Sequence, residues 1–292
     1  MKNTLLFACL LFSIQMFSQN KPYFQQEAHY TIRVTLDDVK HSLTGDIEFS
    51  YVNQAPQALD SILFHLWPNA YQDENTAFAQ QKLREGSTKF HFAKDSDLGY
   101  FSGLDFKVDG QKAEWYQDAK NPDLAVLKLK QPLRNKRKVV ISTPFTLQIP
   151  ASFSRLGHVG QSYQMTQWYP KPAVYDNRGW HPMPYLDMGE FYSEFGSFDV
   201  SITLPENYVV GATGILQTLS EEVFLIKKSQ QGAAMVDKGF PQGNEFPPSS
   251  PKMKTIRYTA EMIHDFAWFA DKRFNVLKGE VRFPTGRTVD TW

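Results

Sequence analysis

The sequence predicts an all-β fold with little helix. Three observations carry the prediction. Apolar and polar residues alternate with period two in at least five separate stretches, the spacing of half-buried strands. Gly, Pro, Asn and Asp punctuate the intervals between them, as tight turns require. Only one stretch combines a capping residue with a run of good helix formers.

In chain order, Met1 to Ser18 comes first. Lys2 supplies a positive start, Leu5 to Phe17 is an almost uncharged apolar run, and Ser18 ends it with a small residue. That is the pattern of a secretory signal peptide over residues 1–18, and the run is too short to span a bilayer, which takes about 20 apolar residues. Residues 19–292 are then one β domain. Tyr30, Ile32, Val34 and Leu36 alternate with polar neighbours, as do Leu43, Gly45, Ile47, Phe49 and Tyr51, and Asp37-Asp38-Val39-Lys40 between them reads as the turn of a long hairpin. Thr76 to Glu85 is the expected helix, capped by Asn75 or Thr76. Alternation returns in Leu104-Phe106-Val108 before an Asp109-Gly110 turn, in Leu127-Leu129, in Phe198-Val200-Ile202-Leu204 and in Ile256-Tyr258. Gln230 to Pro251 is so dense in Gly and Pro that it reads as a surface loop. Trp168 to Gly196 is dense in aromatic rings and turn residues, a composition that packs onto something.

Composition narrows the function classes. The formal net charge is zero, and no basic stripe or cluster stands out, so no nucleic-acid partner is indicated. The single cysteine, Cys9, lies inside the signal sequence. The mature chain would therefore have neither disulfide nor thiolate metal site, and no transmembrane segment. The expected location is periplasmic or extracellular. None of the seven histidines has a second histidine four residues on, so the H-E-x-x-H pair that presents two imidazoles on one helix face is missing. Catalytic and metal-ligating residues are expected to be none, with no cofactor in this chain.

The stretch Gln167-Trp168-Tyr169-Pro170-Lys171-Pro172-Ala173-Val174-Tyr175-Asp176, then Gly179-Trp180-His181-Pro182, Gly189 to Val200 and Leu204 to Gly214, resembles the signature of the N-terminal domain of aminopeptidase N-like zinc peptidases. His264 to Ala270 is similar to a late strand of that domain, and Gly286 to Trp292 to its last strand; the likeness runs from Ala28 to Trp292. The resemblance implies a many-stranded, saddle-like β-sandwich domain packed as a roof over a separate catalytic domain that holds the zinc. It also implies a substrate-cleft-forming role in releasing N-terminal residues from peptides, with that catalytic domain and the peptide as partners.

In that family a Gln-x-Glu pair on a strand of this domain helps anchor the substrate's α-amino group. The corresponding strand here is Gly160 to Gln167, and no Asp or Glu occurs from Ala151 to Tyr175. Gln164, two residues from Thr166 and on the same face, is the first candidate contact; Gln161 and Gln167 are alternatives. Each is equally explained as a polar strand residue satisfying nearby backbone groups. Trp168, Tyr169, Trp180, His181, Tyr185, Phe191 and Tyr192 are candidate cleft or domain-interface residues. Asp176 is expected to fix a turn through backbone donors. Asp187, Glu190 and Glu194 could hold a hard cation, but they lack a calcium-loop pattern and read as solvated rim charges. His264-Asp265 has the form of a base and its orienter, with no nucleophile elbow to use it. A second reading is a stand-alone exported β domain that binds peptide or glycan through the aromatic loop.

Overall fold

The structure is a computed structural model that describes residues 23–239, 243 and 245–292; the signal-peptide reading of residues 1–18 and Cys9 fall outside the described residues. It is all-β. The largest sheet runs in the order Ile215–Leu216, Met253–Ile263, Gly196–Pro205, Glu27–Asp37, Ser42–Val52, Lys138–Gln148, Lys107–Val108, Gln111–Lys112, with Tyr100–Ser102 also on Lys138–Gln148. A four-stranded sheet orders Lys171–Pro172, Leu59–His65, Leu124–Leu133 and Trp115–Gln117. A third orders Gly157–Val159, Ser162–Met165, Trp268–Asp271 and Val209–Ala212.

The period-two reading holds where it was strongest. Ala28, Tyr30, Ile32, Val34 and Leu36 are buried, as are Leu43, Ile47, Phe49 and Tyr51 on the partner strand. Val34 pairs with Gly45, where an added Cβ would stand 2.0 Å from the Arg33 carbonyl oxygen, so that position admits no side chain without a backbone shift. The hairpin turn is closed by Asp37 Oδ1, which accepts from the backbone N–H of Val39 (3.1 Å) and of Lys40 (2.9 Å). Asp109 and Gly110, at φ 49° and 76°, form the tight turn joining Lys107–Val108 to Gln111–Lys112, the left-handed pair that a two-residue hairpin loop favours. The same buried cluster takes in Phe198, Val200, Ile202 and Leu204 and the rings of Phe64, Trp67, Tyr71 and Phe78. The outer sheets thus share one core with the large sheet.

The expected helix forms over Ala77–Arg84, with Thr76 Oγ1 accepting from Ala79 N–H at 3.2 Å as its cap. A second helix, Leu219–Ala233, has no counterpart in the sequence reading and takes the first residues of the expected Gln230–Pro251 loop. Its buried positions are Glu221, Leu225, Ser229 and Gly232, with Phe224 partly buried beside Leu225, so the usual apolar stripe is short. What docks it is specific contact. Lys254 Nζ meets both Glu221 carboxylate oxygens at 2.7 and 2.8 Å, and Gly232 lies so close to the Val276 carbonyl that a Cβ would approach its oxygen to 2.1 Å.

Candidate functional site

The sheet containing Ser162–Met165 has two unlike faces. Tyr163 pairs with Ala270 and Met165 with Trp268, Val210 lies across from Ala270, and all five are buried. Gln164 pairs with Phe269, which in turn pairs with Gly211. Because partners across a ladder share a face, these three form the outer side. Phe269 is 43% exposed, and a Cβ built on Gly211 would meet nothing within 4 Å. The outer face is therefore open, with a half-buried glutamine beside an exposed aromatic ring and a bare stretch of backbone.

The Gln164 amide is oriented by its neighbours. Nε2 donates to Ser152 Oγ at 2.7 Å and to the Ser154 carbonyl at 2.8 Å. A carbonyl can only accept, so the nitrogen must face that loop, and Oε1 remains as the acceptor available to an outside donor such as an ammonium group. Thr166 Oγ1 donates to the Arg155 carbonyl at 2.9 Å, so both residues tie the strand to the 152–155 loop. The other two glutamines lie elsewhere. Gln161 donates to Asp38 at 3.2 Å and accepts from Lys272 Nζ at 2.5 Å in a separate polar cluster. Gln167 is buried with φ 55°, and its amide is used on both sides, donating to Asp265 Oδ2 and accepting from Lys171 Nζ at 2.8 Å.

Directly behind this strand lies a buried ion pair. Lys171 Nζ donates to Asp265 Oδ1 at 2.9 Å, and Tyr169 Oη and the Phe266 N–H each donate to the same oxygen at 2.9 Å. The ammonium also stands 4.8 Å from the Tyr169 ring centre and 5.1 Å from that of Trp67, favourable cation–π positions. Burial alone would raise the Asp265 carboxyl. The Lys171 charge and the hydrogen bonds outweigh it and hold Asp265 below the usual carboxylate range. Burial depresses Lys171, against the opposing pull of Asp265. Asp265 is thus committed to Lys171, Tyr169 and Gln167, while His264 packs edge-on to Phe195 at 5.5 Å, so the two do not form the base-and-orienter pair their adjacency suggests.

The aromatic segment packs largely into the protein's own core, as its composition suggests, and does not form the exposed platform of the second reading. Trp168, Tyr169 and Tyr185 are 0–1% exposed and belong to the core. Trp168 Nε1 donates to the Phe266 carbonyl at 2.9 Å, and Trp168 packs edge-on to Trp268 at 6.2 Å. Phe191 is partly buried against Trp67 and Tyr185. Trp180 packs against Tyr175 at 5.0 Å, and His181 Nε2 lies 2.8 Å from Asp176 Oδ1. Tyr192 is the one ring of the seven candidates left exposed, at 44%. The physical reason is that these rings fill the gap between the outer sheets and the large sheet, where no regular strand supplies bulk.

Asp176 closes the Tyr175–Trp180 turn as expected, accepting from Arg178 N–H at 2.7 Å. The other acidic residues scatter. Asp187 is held by Lys82 Nζ at 2.6 Å and by Ser154 Oγ, and Glu190 is exposed. Glu194 is not a rim charge but buried, at 6% exposure. Burial pushes its carboxyl from an ordinary 4.5 up to about 7, opposed by hydrogen bonds from the backbone of Tyr175 and Gln26. Among the described residues no three His, Cys, Asp or Glu side chains are arranged to hold a metal ion. No helix of the described residues is long and apolar enough to cross a membrane.

Phe269 and Gly211 are the site residues that sequence reasoning missed. Alternation in Trp268-Phe269-Ala270 shows that Phe269 faces opposite to its neighbours, but only the register places it beside Gln164.

No protein-family model and no curated protein matches the chain. Among solved structures, the chain is similar to an M1 zinc metallopeptidase from Deinococcus radiodurans in a glutamate-to-alanine mutant form. The identity is 15% and the TM-score 0.49, over 92% of this chain and 47% of that one. The same enzyme without the mutation gives 15% and 0.47, over 92% and 46%. A two-domain M1 zinc metallopeptidase mutant bound to L-tryptophan gives 14% and 0.46, over 93% and 47%. The chain spans about half the length of each.

Proposed function

We propose that this chain is the N-terminal, substrate-cleft-forming domain of an exported zinc-dependent aminopeptidase, and that the outer face bearing Gln164 meets the free α-amino group of a peptide. The observation that carries the proposal is the oriented Gln164 amide on an open face, on the strand that leads straight into the Trp168 to Gly214 resemblance. A protonated amine needs acceptors and no donors, and Oε1 supplies one. Thr166 stands where the family has a carboxylate, so recognition here rests on a neutral acceptor and is weaker than an ion pair would make it. The metal, its ligands and the general base belong to the catalytic domain, with which this domain would form the cleft.

Three measurements test this reading. The sequence encoded after Trp292 should contain an H-E-x-x-H helix, and a stop codon there would favour a stand-alone domain. Residues 28–292 assayed alone on aminoacyl anilides with added zinc should show no turnover; chelator-sensitive turnover would overturn the assignment. In the enzyme carrying both domains, Gln164→Leu should raise KM about tenfold, the loss of one hydrogen bond to a charged group, with kcat changed much less.

A further inference from the structure

A groove at the far end of the molecule has the make-up of a ligand site, and we infer that it binds a single-chain amphipathic anion, an aliphatic chain ending in phosphate or carboxylate. The cavity has a volume of about 770 Å³ and lies between the turn at Asp109-Gly110 and the second half of Leu124–Leu133. That volume is within the range of small-molecule sites, roughly 300–1,000 Å³. The groove does not belong to the Gln164 face. Val139 lines it near the start of Lys138–Gln148, whereas the chain reaches the Gln164 sheet only beyond the other end of that strand, through the pairing of Ala151 with His158. An 11-residue strand separates the two by about 30 Å.

The lining is sorted by chemistry. Val108, Ala113, Leu129, Leu133 and Val139 make an apolar floor, with Ala113 and Leu133 buried. The rim carries Lys112, Lys128, Lys130, Arg134 and Arg137 against a single acid, Asp109, whose Oδ1 is already taken by the Val140 N–H at 2.9 Å. In a chain of zero net charge this is a local concentration, and it corrects the reading that no basic cluster stands out, because Lys128, Lys130, Arg134 and Arg137 lie in one stretch that holds no acid. Lys128 is partly neutralised by Glu114 at 2.7 Å and Lys112 by Asp105 at 3.4 Å. Arg134 and Arg137 form no ion pair among the described residues.

The two arginines also sit on a rigid mount. Their turn is closed by Arg137 N–H to the Arg134 carbonyl at 3.0 Å and bound to buried Asn53 on both strands. Asn53 N–H donates to the Arg137 carbonyl at 3.0 Å, its Nδ2 donates to the Leu133 carbonyl at 2.8 Å, and its carbonyl accepts from Lys136 N–H. Two arginines whose backbone is fixed three residues apart suit a phosphate or carboxylate head, which accepts paired hydrogen bonds. The floor suits the chain behind it. A nucleic acid fits poorly, because no aromatic ring lines the groove for a base to stack on.

Titration calorimetry on the whole chain tests this, with dodecyl phosphate below its micelle concentration as the probe. We expect saturable one-to-one binding, at least tenfold tighter than for inorganic phosphate or for the uncharged dodecyl maltoside. Arg134→Gln with Arg137→Gln should weaken it at least tenfold, and Leu129→Gln several-fold, with unchanged melting temperature because the arginines are exposed and Leu129 only half-buried. Equal binding of inorganic phosphate, or undiminished binding by the double variant, would overturn the assignment. So would binding of polyglutamate without binding of dodecyl phosphate, which would make the groove a track for an acidic polymer.

Discussion

The hairpin Glu27–Val52 and the aromatic segment Gln167–Gly196 are built by different means. The hairpin is a ladder of eleven paired residues, from Glu27 opposite Val52 to Asp37 opposite Ser42, with every second side chain in the core. Its stability is spread over many equivalent contacts. The aromatic segment has only two-residue ladders, Lys171–Pro172 on Phe64 and His65, and Tyr175–Asp176 on Gly179–Trp180. It is held instead by single, buried, polar contacts such as Trp168 Nε1 to Phe266, Lys171 to Asp265, and Asp123 Oδ2 accepting from Tyr185 N–H at 2.5 Å. Repetition tolerates the loss of a member, whereas a set of unique contacts does not.

The sharpest way to break that contrast is Lys171→Met. Removing the ammonium leaves Asp265 charged and buried, and breaking one partner of a buried pair costs roughly 3–5 kcal/mol. Denaturant unfolding should show a loss of that size, with part of it recovered when Asp265→Asn is added. A loss below about 1 kcal/mol would mean the segment does not depend on its buried pair.

Next in size is a pH effect at Glu194. Its carboxyl is raised from 4.5 to about 7 in the folded state, so the folded protein keeps a proton that the unfolded chain has released. Stability from this group is complete below about pH 4.5 and is lost as pH rises through 7, by on the order of 2–3 kcal/mol. Asp123, raised by burial from 3.8 to about 6, acts in the same sense at lower pH. His65 acts oppositely, because burial lowers it from 6.5 to about 3 and protonation below 6.5 favours unfolding. Comparing chain and variant removes these shared contributions. Glu194→Gln should match the parent near pH 5 and exceed it at pH 8, and an identical pH profile would refute the buried-acid account.

Two substitutions probe the hairpin. Gly45→Ala places a Cβ against the Arg33 carbonyl and should cost roughly 1–3 kcal/mol by overpacking, the one place where the ladder depends on a single residue. Asp46→Asn removes the exposed ion pair with Arg33 at 3.1 Å and should change stability by less than about 1 kcal/mol. A larger effect from the exposed pair than from Lys171 would reverse the comparison.

Much of the fold was legible in the residues. Alternation in Tyr30-Ile32-Val34-Leu36 and Phe198-Val200-Ile202-Leu204 directly records which side of a strand faces the core, and Asp109-Gly110 carries its turn in its own backbone preference. The Leu219–Ala233 helix was not legible, because a glutamate, a serine and a glycine occupy most of its buried positions and make sense only against Lys254 and Val276. In the candidate site, Gln164 was named from the resemblance with Gln161 and Gln167 as alternatives, and only the strand register separates the three.

The sequence by itself determined the β architecture, the main hairpin and the capped helix, because each follows from local spacing and local backbone preference. Tertiary structure alone decided that Trp168, Tyr169 and Tyr185 are core, that Glu194 is a buried acid, and that Gln164 shares its face with Phe269 and Gly211. Those outcomes depend on burial and on the register between strands far apart in the chain, and no short stretch of sequence contains either.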